Sequence, residues 1–240
     1  MTDLAPQGPR TLPSSITEAA AELDAHYGHF KLSGEIAQTL ALHPVQGSGI
    51  WASRGSILSY SQGVEWQLKI PGKAVSRALS GEGLAMTYVT ITRAPAEVIL
   101  TPNGTGKVAV WDLQWGPVTC TSGSFLAAIG DVQIDVTVAR RAGAALFGGA
   151  GLLMQRLSGS GLVFIHGSGD FIERDLQPGQ TIDVSTGNLA AFSSNTDYDV
   201  VGVGGCVKML FGGEGVFMTR MTGPGRVLLQ SMKRMPAAPK

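Results

Sequence analysis

The side chains that could perform chemistry are few, beginning with the histidines. The chain has four of them, His26, His29, His43 and His166. A cupin-type metal site needs a His-x-His pair and a following Glu on strands, and the sequence has no His-x-His. His26 and His29 could share a helix face, but they flank Gly28, which favours a helix end. His166 lies in His-Gly-Ser-Gly, which is typical of a solvated turn. We therefore predict no metal site and no cofactor.

Candidate nucleophiles and acids give no stronger pattern. The chain lacks the Gly-x-Ser-x-Gly elbow of many hydrolases, and neither Cys120 nor Cys206 has an obvious histidine partner in sequence. Both thiols are expected to be buried in a reducing compartment. Asp170, Glu173 and Asp175 lie close together, and residues two apart share one strand face. They could serve in acid–base chemistry or lie on a solvated outer face. A triad assembled only by folding stays open, but we predict that the protein is not an enzyme.

Two glycine-rich stretches invite a phosphate-binding interpretation. Gly-Gly-x-Gly occurs at residues 148–151 and again at 212–215. No Lys-Ser/Thr follows either stretch, and strands rather than a helix are expected next, so a phosphate cradle is disfavoured. Glycine more simply permits a tight backbone where neighbouring units approach. Phe147 and Phe211 lie just before these stretches, where they could dock on an apolar ligand or a membrane surface, or lie in the core.

Two arginines complete the set of candidate binding residues. Arg156 and Arg220 each follow a repeated methionine by two residues, and the equivalent position earlier in the chain is Tyr88. In an oligomer these arginines could ring a pore or bind an anion. They could also form salt bridges between units, which we favour because the guanidinium fork matches a carboxylate. The candidate binding residues are therefore Phe147, Arg156, Phe211 and Arg220.

The composition limits the partners of the protein. The 240 residues include 18 basic and 18 acidic side chains, so the formal net charge is zero, and 33 residues are glycine. A neutral chain disfavours nucleic acid as a partner, because phosphate backbones are bound by basic surfaces. No apolar run approaches the roughly 18 residues of a membrane span, and the N-terminus does not resemble a secretory signal. We expect a cytoplasmic protein without a transmembrane segment.

The elements that would position these side chains come from a repeated sequence. Residues 146–165 and 210–229 match in their Phe, Gly, Met and Arg positions, and a weaker copy lies near 79–100. Alternating apolar residues bounded by turn glycines predict β-strands. A hairpin signal recurs with the same spacing at Gly55-Ser56-Ile57, Gly123-Ser124-Phe125 and Gly187-Asn188-Leu189. This periodicity predicts three copies of one unit. The C-terminal strands, 216–232, would complete the copy near the N-terminus and close a barrel.

The chain before the repeats has a different character. Residues 1–28 are predicted to be a disordered lead followed by a short helix, because the first part is rich in proline. Ser15 and Glu18 have the spacing of a capping box at the start of that helix. The helix would pack outside the main domain or dock on a partner. A single β domain is expected over 29–235, with a tail at 236–240.

Several motifs resemble one known family. L-F-G-G-E-G-V-F-M-T-R-M-T-G-P-G, S-T-G-N-L-A-A-F and F-K-L-S-G-E-I are similar to motifs of the Altered Inheritance of Mitochondria 24 (mitochondrial biogenesis) family, long carried as a domain of unknown function. The resemblance covers residues 30–232. It implies a three-repeat β fold similar to the tryptophan RNA-binding attenuation protein, and trimers with a pseudo-ninefold ring of repeats. It supplies no catalytic residues. The sequence departs from the family at Ile91–Pro95, where a Ser-Gly-x-Gly turn is expected, and in its N-terminal extension.

These observations predict an all-β protein. Its three pseudo-repeats of a short double-stranded β-helix unit, similar to that of the attenuation protein, would form a prism-like barrel with a short N-terminal helix. We expect a non-enzymatic assembly or binding protein that acts as a homotrimeric β ring. The alternative is a small-molecule or membrane-surface binding module that uses the apolar glycine-rich loops. Besides other copies of the chain, the expected partners are another protein or an apolar ligand.

Overall fold

The computed structural model describes residues 11–20, 22–23, 30–72, 85–138, 153–202 and 217–234. These ranges contain 17 strands and two short 3-10 turns, at Leu113–Trp115 and Thr186–Asn188. The strands are β1 Phe30–Ser33, β2 Thr39–Leu42, β3 Gly49–Ala52, β4 Ile57–Tyr60, β5 Val64–Lys69, β6 Met86–Ile91, β7 Val98–Leu100, β8 Gly106–Asp112, β9 Val118–Thr121, β10 Phe125–Val138, β11 Leu153–Ser168, β12 Phe171–Leu176, β13 Thr181–Ser185, β14 Leu189–Ser193, β15 Asp197–Gly202, β16 Phe217–Thr222 and β17 Gly225–Gln230. The all-β prediction is confirmed.

The strands form three sheets in the described ranges. One has the order β1-β2-β7-β4, one β13-β16-β15, and the largest β12-β17-β14-β9-β11-β10-β3-β6-β5 with β8 paired to β11. None of these paths closes on itself within the described ranges, so the predicted closed barrel is corrected. The C-terminal strand β17 pairs with β12 and β14, and β16 pairs with β13 and β15. These partners are close in sequence, so their pairing closes shorter loops than pairing with the N-terminal strands would.

Three groups of three strands have matching registers. We call β3-β6-β5 the first group, β9-β11-β10 the second and β13-β16-β15 the third. In the first, Tyr88 lies between Trp51 and Gln67. The equivalent rows are Thr119, Arg156 and Asp135 in the second group, and Asp183, Arg220 and Asp199 in the third. The sequence offsets of 68 and 64 residues therefore recur as equal positions in the sheets.

Neighbouring groups are joined by antiparallel strand pairs at two junctions. At the first junction β10 pairs with β3, and at the second β14 pairs with β9. The registers are again equivalent, since Ala128 faces Trp51 and Phe192 faces Thr119. The strands β4, β10 and β14 each carry a register shift at the same relative place, between Ile57 and Ser59, Phe125 and Ala127, and Leu189 and Ala191. A bulge of this kind bends a strand from one sheet toward another.

The Ser-Gly-x-Gly motif, which the family resemblance makes a turn, is part of strand β11 here. The Ser-Gly-Ser-Gly stretch at 158–161 lies inside this 16-residue strand and pairs throughout with β10. Gly159 and Gly161 have positive φ angles, of 109° and 142°, which side chains with a Cβ rarely adopt. Glycine bends the strand here without ending it. The strand therefore takes part in the second group with its first half and pairs with β8 through its second half.

Three apolar clusters form the core of the described residues. The first contains Phe30, Leu40 and Phe164, the second Trp111 and Phe125, and the third residues such as Met154, Phe192 and Val227. The N-terminal segment reaches two of these clusters. Ile16 is fully buried in the second cluster, and Leu23 lies in the first. Residues 11–23 of the predicted lead and helix therefore pack on the domain, apart from Ala21, which is not described.

Candidate functional site

Arg220, a predicted binding residue, forms a two-pronged salt bridge. Its Nε and Nη2 donate to the Asp183 carboxylate at 2.8 and 3.0 Å. Both side chains are about half exposed. The hydrogen bond from Arg220 holds the pKa of Asp183 below its usual range. Asp199 lies on the other side of Arg220 in the sheet. The predicted salt bridge is present, but it joins strands of one group rather than two units.

The other predicted binding residues have different surroundings. Arg156 is exposed in the middle of the second group, with Thr119 and Asp135 as its cross-strand neighbours. Phe147 and Phe211 lie outside the described residues. At the equivalent position of the first group, the Tyr88 ring lies 3.7 Å from the Lys69 ammonium, measured to the ring centre.

A buried arginine that the sequence analysis did not single out organises the predicted carboxylates. Arg226 of β17 is 4% exposed. Its Nε and Nη2 donate to Asp175 at 2.6 and 2.7 Å, and its Nη1 donates to Glu173 at 3.3 Å. Nη1 also donates to the Pro13 carbonyl at 2.7 Å. Glu173 and Asp175 thus share one strand face, and they form an ion-pair network rather than an acid–base pair.

Glu173 also anchors the N-terminal segment. Its carboxylate accepts hydrogen bonds from the Ile16 and Thr17 backbone amides, each at 2.9 Å, and from the Ser15 and Thr17 hydroxyls, each at 2.8 Å. Burial raises the pKa of this carboxyl, but the four hydrogen bonds outweigh it and the net shift is downward. Ser15 also accepts from the Glu18 amide at 3.3 Å, as a capping residue does. A side chain from β12 therefore supplies the carboxylate that satisfies the start of this turn.

His166 is not the solvated turn residue that the sequence predicted. It lies inside β11 and is 2% exposed. Arg234 donates to its Nδ1 and to its carbonyl oxygen, both at 3.2 Å, and also bonds the Ser124 hydroxyl. Burial, with the Arg234 charge, lowers the pKa of His166 to about 4, so the imidazole is neutral near pH 7. The glycine after His166 predicts a turn, but in the structure Gly167 continues the strand and pairs with Lys107.

Cys120 behaves as the sequence predicted for a structural thiol. It is fully buried in the second cluster, and burial raises its pKa to about 12. A thiol with so high a pKa is a poor nucleophile at neutral pH, because the thiolate is the reactive form. Cys206 lies outside the described residues.

Among the described residues, a row of exposed apolar side chains lies on β5 and just after it. Trp66, Leu68 and Ile70 are 50%, 49% and 51% exposed. Because they are two residues apart on an extended chain, they lie on one face. Leu58 and Tyr60 of the neighbouring β4 are also at least half exposed. We call Trp66, Leu68 and Ile70 the β5 row. Its alternation is visible in the sequence, but alternation alone does not tell a covered face from an open one.

The described residues also line two clefts. An apolar cleft of about 170 Å³ lies at the first junction and is lined by residues that include Leu42, Ile50, Ile129 and Leu162. A second, of about 390 Å³, lies between the N-terminal segment and Trp115.

The described ranges contain no group of three or more His, Cys, Asp or Glu side chains placed to hold a metal ion. They also contain no helix with the length and apolarity needed to cross a bilayer.

Comparison with known proteins gives a consistent result. The family model described as mitochondrial biogenesis AIM24 matches residues 30–232. An uncharacterised protein of Streptococcus pyogenes serotype M6 is 27% identical over 197 residues, which are 78% of each chain. The crystal structure of a Streptococcus pyogenes protein superposes with a TM-score of 0.73 and 21% identity, covering 85% of this chain and 93% of that one. At this identity the crystal structure is evidence for the fold alone.

Proposed function

The chain belongs to the AIM24 mitochondrial biogenesis family, and we propose that it is a non-enzymatic assembly protein that acts as a homotrimeric β ring. Each chain would contribute three copies of one β unit. The β5 row carries this proposal, because it is an apolar strand face left open at one end of the chain. The number three follows the trimeric assembly that the family resemblance implies.

The strand registers support the three copies. Each group places one central residue, Tyr88, Arg156 or Arg220, between equivalent neighbours. The strands β4, β10 and β14 share a bulge at the same place. Equal registers at fixed sequence offsets are expected when one unit is repeated along a chain.

The positions equivalent to the β5 row are covered in the other two groups. In the second group they are Ile134 and Val136, which are 3% and 5% exposed. In the third group Tyr198 and Val200 are partly buried against the third core cluster. Monomers rarely leave a contiguous apolar face in water. In the first group the same positions are apolar, as in a buried face, but they are half exposed. This favours their burial against another copy.

The energy available from this face is appreciable. Fully burying a large apolar side chain is worth about 1.5–3 kcal/mol. The three side chains of the β5 row are already half covered, so each gains on the order of 1 kcal/mol on association. A ring repeats that gain at each of its interfaces.

The proposal is tested by light scattering on a size-exclusion column, comparing the wild-type chain with Trp66→Ser/Leu68→Ser. We expect an oligomer for the wild type and a folded monomer for the variant. Ile172→Ser is the matched control, because Ile172 is an exposed strand residue away from this face, and it should stay oligomeric. A wild-type chain that runs as a monomer, or a double variant that assembles as the wild type does, would contradict the proposal.

The apolar cleft at the first junction favours a second candidate function, the binding of a small apolar ligand. Its volume of about 170 Å³ is close to that of engineered apolar cavities that bind benzene. Ser48 lines this cleft, so Ser48→Phe should fill it. Titration with benzene, followed by NMR, should shift the methyl signals of Ile50 and Leu162 in the wild type and leave them unchanged in the variant. No shift in either protein would remove this candidate. A membrane-surface role for the loops near Phe147 and Phe211, and a cytoplasmic location, stay predictions.

A further inference from the structure

The β5 row is an open face of the first group, and the third group carries a surface that matches it. Resting on the assembly proposed above, we infer that the copies join head to tail. The β13 edge of one copy would pair with the β4 edge of the next, and β16 of the first copy would cover the β5 row of the next. Three separate observations lead to this mating.

The first observation is that β4 and β13 are the unpaired counterparts of the strands at the two junctions. At each junction a bulged strand, β10 or β14, pairs with the first strand of the preceding group, β3 or β9. The bulged strand β4 pairs only with β7 among the described residues. The strand β13, first in the third group, pairs only with β16 in the same ranges. Unpaired edges of this kind favour the addition of another strand.

The internal junctions also fix the register of the inferred pair. Ala127 faces Ala52 at the first junction, and Ala191 faces Cys120 at the second. The equivalent pair between two copies is Ser59 with Val184. The next pair along is Tyr60 with Asp183, both of them exposed.

The second observation is an unsatisfied hydroxyl on β13. At the first junction the Ser53 hydroxyl donates to the Phe125 carbonyl in the bulge of β10. At the second, the Thr121 hydroxyl donates to the Leu189 carbonyl at 2.6 Å. The equivalent hydroxyl is that of Ser185, which is buried and has no hydrogen-bond partner among the described residues. Its expected acceptor is the Ile57 carbonyl of the next copy. Buried polar groups rarely stay unpaired, so this oxygen is evidence for a missing strand.

The third observation concerns the methionines on the central strands. Met86 of the first group lies in the same core cluster as Ile134 of the second, and its sulfur lies 4.0 Å from the Gln155 Nε2. Met154 of the second group lies in the cluster that Tyr198 and Val200 of the third group pack against. The first and second groups therefore each place their methionine in the core cluster that the apolar row of the following group joins.

The third group has the equivalent methionine, and the described residues hold no group after it. Met218 is partly exposed on β16, and the β5 row is the apolar row without a methionine over it. Met218 of one copy therefore fits over Trp66 and Leu68 of the next. A head-to-tail contact of this kind uses two different surfaces, so a ring closes when the rotation between copies permits it.

Disulfide cross-linking tests the mating directly. Tyr60→Cys/Asp183→Cys places one thiol on each edge, and paired strands bring Cα atoms within the 4.4–6.8 Å that a disulfide spans. We expect oxidation to give covalent dimers and trimers on a non-reducing gel. Each single variant should stay monomeric on that gel, as should the matched variant Tyr60→Cys/Asp197→Cys, whose second thiol lies on the far strand β15. The wild-type chain reports any background from Cys120 and Cys206.

The outcomes separate this inference from the assembly itself. If light scattering shows an oligomer but no ladder forms, the head-to-tail mating is wrong and the assembly stands. A covalent dimer in the Tyr60→Cys single variant, absent from the wild type, would indicate a symmetric contact and would also overturn it. A monomer in light scattering would remove the assembly and the mating together.

Ser185→Ala provides a measurement that does not depend on cross-linking. Because the Ser185 hydroxyl has no hydrogen-bond partner among the described residues of its own chain, its loss should leave the unfolding of the monomer unchanged. It should weaken association roughly two- to tenfold, the usual worth of one hydrogen bond. Ser53→Ala is the matched control and should lower the stability of the monomer instead. Unchanged association for Ser185→Ala would count against the inferred bond.

Discussion

Strands β5 and β10 carry equivalent apolar rows in very different surroundings. Ile134 and Val136 of β10 are almost fully buried, whereas Trp66 and Leu68 of β5 are half exposed. Both rows have the same register to their central strands. The difference arises because the first group precedes β10 and places Met86 in its cluster, whereas the described residues hold no group of three strands before β5. A covered and an open copy of one face therefore separate what stabilises the monomer from what is available for assembly.

The largest expected effect comes from placing a charge on each row. Ile134→Asp should cost about 4–5 kcal/mol in the free energy of unfolding, because a carboxylate would lie in the core without a partner. Leu68→Asp should change the unfolding of the monomer by less than about 1 kcal/mol and dissociate the oligomer. Urea unfolding and light scattering measure the two quantities. Similar losses of stability in both variants would break the comparison.

The two arginines extend the contrast between covered and open positions. Arg226→Ala should cost about 2–4 kcal/mol, because it leaves Asp175 and the Pro13 carbonyl without this donor and removes the positive charge beside Glu173. Arg220→Ala removes a solvent-exposed pair with Asp183 and should leave the free energy of unfolding unchanged. Urea denaturation of both variants makes the measurement. A larger loss for Arg220→Ala than for Arg226→Ala would contradict this assignment.

Glu173 makes the anchoring of the N-terminal segment dependent on pH. Because its pKa is lowered in the folded state, its stabilisation is complete above the ordinary value near 4.5. It is lost as the pH falls through the lower folded value. Glu173→Gln should cost about 1–2 kcal/mol at pH 7 and progressively less as the pH falls below 4.5.

Unfolding of wild type and Glu173→Gln from pH 3 to 7 gives the difference curve. Glu35→Gln is the control on an exposed carboxylate. A difference that stays constant across the range would show that Glu173 does not act through its charge.

His166 makes the stability depend on pH in a different window. Its folded pKa of about 4 lies below the ordinary value of 6.5, so the unfolded chain takes up a proton first as the pH falls. Stability should therefore decline between pH 6.5 and 4, and His166→Gln should lose that part of the slope. His43→Gln, at an exposed site, should keep it. A slope unchanged in His166→Gln would mean that the buried imidazole is not responsible.

The sequence predicts the strand content well and the long-range network poorly. Alternation and turn glycines identify the strands, and the offsets of 64 and 68 residues anticipate the equal registers around Arg156 and Arg220. The contact between Ser15 and Glu173 joins residues 158 apart, and no local pattern reports so distant a pair. His166 was misread because glycine permits both a turn and a bent strand.

The open face was missed for a related reason. The alternation of Trp66, Leu68 and Ile70 is that of any strand with one apolar face. Whether such a face is covered depends on the group that precedes it, and the described residues hold no such group before β5. The sequence therefore fixes which residues share the face, and only the three-dimensional arrangement shows that it is open.

Native mass spectrometry of the untagged protein tests the central claim most directly. Three chains of 25.0 kDa each make a complex of about 75 kDa, and the account predicts that mass, with the Trp66→Ser/Leu68→Ser variant at the mass of one chain. A wild-type protein found only at 25.0 kDa would contradict it, because the β5 row would then be open in solution.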